Sequence, residues 1–124
     1  MIVTRSGEHG VAIVRPAGRI GLGASLAELR ETLAELFDEG RTASVVLELS
    51  DVTYLDSATL GEIMAFFRRA KRRGGTLVVA GATGKVADLL SLTRLDELVG
   101  VYDSASKALE SMSDAPDEDG DPAT

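Results

Sequence analysis

The sequence predicts an α/β fold with a mixed β-sheet and helices packed largely on one face. Apolar residues at helical spacing alternate along the chain with short β-branched runs, glycines close the helical stretches, and the first two strand-like runs are joined by a tight turn. Strands alternating with helices imply parallel pairing, and the opening hairpin makes the sheet mixed.

Ile2, Val3 and Thr4 begin a first strand and residues 11–17 a second, with Ser6, Gly7 and Gly10 supplying the turn chemistry between them. Leu22, Leu26, Leu29, Leu33 and Leu36 then recur every three or four residues, and Gly40 follows, so this stretch reads as an amphipathic helix with a glycine stop. In residues 44–49, Val45, Leu47 and Leu49 share one strand face and Val46 and Glu48 the other. A linker leads to a second helix carrying Leu60, Ile63, Met64, Phe67 and Ala70 on one side, with Asp56 and Ser57 placed to cap its start. Its last turns hold Arg68, Arg69, Lys71, Arg72 and Arg73, cations where the helix dipole is negative, and Gly74-Gly75 ends it. Residues 76–80 read as a buried strand, 85–92 as a short helix and 98–102 as a weaker strand. Asp103 or Ser104 then caps a final helix burying Ala105, Ala108, Leu109 and Met112.

One domain is expected, residues 1–112, followed by a disordered acidic tail, 113–124, which holds five acids, two prolines and no base. The 13 basic and 20 acidic residues give a net charge of −7, and without the tail the balance is 13 against 15. The acidic total therefore says little about partners of the folded part, although it disfavours nucleic acid. The absence of cysteine excludes disulfides, thiolate nucleophiles and cysteine-bound metals, and the single histidine leaves one candidate imidazole base. No apolar run approaches the roughly 18 residues that span a bilayer, and the N-terminus lacks a signal-like stretch. We therefore expect a cytoplasmic binding or signalling module, not an enzyme, with no cofactor, no metal and no membrane insertion; the oligomeric state is left open.

Several motifs compete for the function. Gly81-Ala82-Thr83-Gly84-Lys85 lies between a strand and a helix as a phosphate-binding loop would, but the earlier glycine and the hydroxyl after the lysine are missing. Gly18-Arg19-Ile20-Gly21-Leu22-Gly23 has its glycines in the wrong order for a dinucleotide fingerprint. Ser57, Asp56 and His9 could be assembled into a nucleophilic triad only without the frame that exposes such a serine. The basic run of the second helix has no interleaved aromatics for stacking bases and reads as a solvated face. Asp56-Ser57 remains, a helix start at which an added phosphate would meet free backbone N–H groups.

Leu55-Asp56-Ser57-Ala58-Thr59-Leu60-Gly61, preceded by the strand ending at Leu49 and by Asp51, Val52 and Tyr54, resembles the signature of the STAS family, named for sulphate transporters and anti-sigma factor antagonists. The resemblance continues through Arg73-Gly74-Gly75 and Leu95 to the final helix, covering about residues 2–112. It implies the curved mixed sheet of that fold. For stand-alone bacterial members it implies an anti-sigma factor antagonist, whose serine after the aspartate is phosphorylated by a GHKL-type kinase that is also the anti-sigma factor. A PP2C-type phosphatase restores the hydroxyl. Ser57 occupies the phosphorylated position, and Asp56, Ala58, Thr59 and Gly61 the partner-binding surface. Thr59 stands where the signature commonly has glycine and adds a second hydroxyl beside Ser57, while Gly21 stands where many antagonists carry an acid. The alternative implied by the same family is a subunit of a lipid-transport ABC complex that docks on its ATPase.

Overall fold

The computed structural model describes residues 1–5, 10–38 and 42–113. His9, the Ser6-Gly7 turn, the Gly40 stop and the tail from residue 114 lie outside the described residues, and Ser113 is the last residue of the final helix.

Five strands form the main sheet: β1 (Ile2–Arg5), β2 (Val11–Arg15), β4 (Ser44–Glu48), β6 (Leu77–Ala80) and β7 (Val101–Tyr102), side by side in that order. The opening hairpin makes β1 antiparallel to β2, and every other pair in this sheet is parallel. Parallel neighbours need crossovers, and α1 (Ala24–Asp38), α2 (Ser57–Arg72) and α3 (Gly84–Leu92) lie in them. Alternation along the strands divides the core. Val45 and Leu47 of β4 and Leu77 and Val79 of β6 pack with Leu26, Leu29 and Leu33 of α1, Leu60, Ile63 and Phe66 of α2, and Val86 and Leu90 of α3. On the other face Val46, Val78 and Ala80, with Val11 of β2, pack with Ala108 of α4 (Ala105–Ser113). Three helices thus share one face and one takes the other, as expected.

Two short strands escape the sequence pattern. β3 (Gly18–Ile20), within the glycine-rich run weighed above, and β5 (Val52–Leu55), read above as a linker, pair in parallel as a separate two-stranded sheet. In β5 the ends are buried and Thr53 and Tyr54 are exposed, so no alternation marks it as a strand. Smaller differences follow from the same packing. Leu22 precedes α1 and is 78% exposed. Phe66, rather than Phe67, is buried on α2, because its ring stacks on Phe37 of α1 with centroids 6.1 Å apart. The weak strand expected at 98–102 contracts to Val101–Tyr102 after a 3-10 turn, Leu95–Glu97.

Candidate functional site

The small β3–β5 sheet delivers two chain segments to one place. β5 runs directly into the N-terminus of α2, and β3 runs into the Gly21-Leu22-Gly23 turn that opens α1. Across the pair, the Arg19 guanidinium lies 4.4 Å from the centre of the Tyr54 ring.

Asp56 is the N-cap of α2, with extended backbone angles (φ −104°, ψ 176°). Its Oδ1 accepts from the Thr59 N–H at 2.9 Å, satisfying a donor that the helix itself leaves unpaired. Its Oδ2 accepts from the Leu22 N–H at 2.9 Å, 34 residues away in sequence. That second bond requires Gly21, since a Cβ there would stand 2.7 Å from Oδ2. The missing acid at position 21 thus has a physical reason: the Asp56 carboxylate already occupies the space. The Asp56 carboxyl is held below its ordinary range by the Thr59 N–H, then by the Leu22 N–H and the Thr59 hydroxyl.

Thr59 is fully buried. Its Oγ1 sits 2.8 Å from Asp56 Oδ1 and 3.0 Å from the Ile20 carbonyl oxygen, so one proton faces two acceptors. The second hydroxyl anticipated beside Ser57 is therefore directed into the fold, joining α2 to the end of β3.

Ser57 is the first residue of α2 and is exposed. With Asp56 as the cap, the Ser57 hydroxyl has no capping duty, and among the described residues it has no protein hydrogen-bond partner. Ala58 is half-buried and Gly61 exposed. A Cβ added at Gly61 would meet nothing within 4 Å, so packing gives no reason for a glycine inside this helix.

Beside Ser57 opens a groove of about 290 Å³ between the starts of α2 and α3. Leu55, Leu60, Val86 and Leu89 give it apolar walls, and Ser57, Tyr54 and Lys85 also line it. The phosphate-loop-like segment ending in Lys85 thus shares a groove with Ser57, which spacing along the chain did not reveal. The structure also supplies two site groups that the sequence reading missed: the Leu22 N–H and the close-approach glycine at 21. The glycine-rich run 18–23 was the available signal. Among the described residues no group of acidic residues or histidines could hold a metal ion, and no helix is long and apolar enough to cross a membrane.

A family model for the STAS domain matches residues 3–108. A putative anti-sigma factor antagonist of Thermotoga maritima is 38% identical over 68 residues, 55% of this chain and 60% of the relative. The chain thus aligns with less than two thirds of that relative's length. The anti-sigma-B factor antagonist of Bacillus subtilis is 32% identical over 88 residues, 71% of this chain and 78% of the relative. Among solved structures, a crystal structure of a putative anti-sigma factor antagonist from Thermotoga maritima superposes with a TM-score of 0.82 at 27% identity, covering 90% of this chain and 93% of the other.

Proposed function

The chain belongs to the STAS domain family, and from that premise we propose that it is a non-enzymatic anti-sigma factor antagonist switched by phosphorylation of Ser57. The observation that carries this reading is the exposed, unpartnered Ser57 hydroxyl on a helix start that Asp56 and Thr59 already cap. The names of the relatives support the choice of antagonist within the family.

In this reading the unphosphorylated face, formed by Asp56, Ser57, Ala58 and Gly61, docks on an anti-sigma factor in the cytoplasm and so frees a sigma factor. Thr59 serves the same face from beneath by fixing Asp56. The partner is also a GHKL-type serine kinase, which transfers the γ-phosphoryl group of a nucleoside triphosphate to Ser57 Oγ. An O–P bond forms there, the bond from the γ-phosphorus to the bridging oxygen breaks, the diphosphate leaves, and the hydroxyl proton passes to a base of the kinase. The product carries roughly 1.5 to 2 added negative charges where the interface accommodated a small neutral donor. A PP2C-type phosphatase reverses the step by hydrolysis. The domain needs no internal rearrangement, because the Ser57 hydroxyl holds nothing in the fold together.

Affinity capture with Ser57→Ala and Ser57→Asp chains tests the switch. The alanine form is expected to retain a GHKL-type kinase that the aspartate form releases, with both forms folded by circular dichroism. Retention of a transport ATPase by both would instead favour the lipid-transport role, and partner sets unaffected by either substitution would reject the switch.

A further inference from the structure

We propose that Lys85 is the cation that receives the phosphate carried on Ser57, drawing it into the groove between α2 and α3; the inference rests on the phospho-switch reading and assigns the residue that regulates the same site. Ser57 and Lys85 line one groove, and Lys85 is the single basic residue among those lining it. Its titratable neighbours there are Tyr54 and Asp56. Asp56 forms no ion pair with the ammonium within 4 Å; its oxygens accept from Thr59 and Leu22. Lys85 makes no ion pair with any described residue, Asp88 one turn further on included; Arg68, Lys71 and Arg72 of α2 make none either, but they do not line this groove.

Stability of the helix does not account for the lysine. It stands in the first turn of α3, where the positive end of the helix dipole disfavours a cation, and the N-cap Thr83 contributes no side-chain capping bond. A phosphoryl group on Ser57 supplies the missing anion. The apolar walls strengthen the attraction by keeping water off one side of the pair. The phosphate then lies across Leu60, Val86 and Leu89, so the modified form loses an apolar surface as well as gaining charge.

The test uses the full chain with phosphoserine installed at position 57 by suppression of a stop codon, and follows the phosphate by ³¹P NMR as pH is varied. A nearby ammonium favours the dianion, so its removal raises the midpoint of the second ionisation, which lies at about 6 for a free phosphoserine. Lys85→Gln is expected to raise that midpoint by roughly half a pH unit, about a threefold change in the ionisation constant. Lys85→Arg keeps it near the parent value, and Lys107→Gln on α4 leaves it unmoved. Equal midpoints for the parent and Lys85→Gln chains, both folded by their amide spectra, overturn the pairing. The phosphate is installed rather than enzymatic, so this failure is separable from failure of the switch itself, which would appear as a Ser57 peptide never phosphorylated in the host.

Discussion

At its C-terminal end α2 is tied back to α1 by Arg69 and the C-cap Arg73, whereas at its N-terminal end it leaves one hydroxyl and one glycine with no task in the fold. Arg69 and Arg73 both pair with Asp38, and Arg73 also donates to the Phe37 carbonyl oxygen at 2.7 Å. The Asp38 carboxyl is held below its ordinary range, first by the hydrogen bond from Arg69 and further by Arg73. Gly74, with φ +84°, turns the chain out of the helix, and a Cβ on Gly75 would overlap the Ala43 carbonyl. At the other end Asp56 supplies the side-chain cap without Ser57, and Gly61 faces open space. Where polar groups and glycines have an intramolecular reason, as Arg69, Arg73, Gly74 and Gly75 do, the residues serve the fold. Where some have none, the reason is sought outside the chain.

Three substitutions sharpen or break that contrast. The largest expected effect is at the C-terminal end: Gly75→Ala forces backbone apart from backbone and costs roughly 3 kcal/mol or more, read from urea unfolding. Parent-like stability there would mean that the turn into β6 is not as tight as described. Next, Thr59→Val keeps the volume but strips a buried hydroxyl from between Ile20 and Asp56, and a loss of about 1–3 kcal/mol is expected in the same assay. The smallest change has the opposite sign. Gly61→Ala is expected to gain roughly 0.5–1 kcal/mol of stability from better helix propensity while weakening partner capture. A less stable Gly61→Ala chain would show that the fold does require glycine there, and the contrast between the two ends would fail.

The contrast also explains what could be read in advance. The helices announce themselves because burial of one face imposes a period on their residues, and β4 and β6, covered on both faces, because they are short unbroken apolar or β-branched runs. Ser57 and Asp56 stood out for the same reason, as polar residues at the edge of a periodic run. β3 and β5 were hidden because strands of three and four residues are too short to show a period, β3 burying only Ile20 and β5 only its two ends. The Arg69 and Arg73 pairs with Asp38 were hidden too, since a basic helix end reads as solvated until the neighbouring helix is in place. Lys85 was legible as a residue type but not as part of the site. Its nearness to Ser57 is a product of the crossover from β6 into α3, which no local spacing encodes.

The bond from the Leu22 N–H to Asp56 makes the exposed start of α2 a property of two distant stretches of chain. A synthetic peptide copying β5 and α2 would carry Asp56, Ser57 and Gly61 in the right order, yet lack the donor, the glycine clearance and the Ile20 carbonyl that hold them in position. On the proposed reading such a fragment is a poor decoy for the partner. Grafting this epitope onto another scaffold would require carrying both strands of the small sheet and the turn that follows β3.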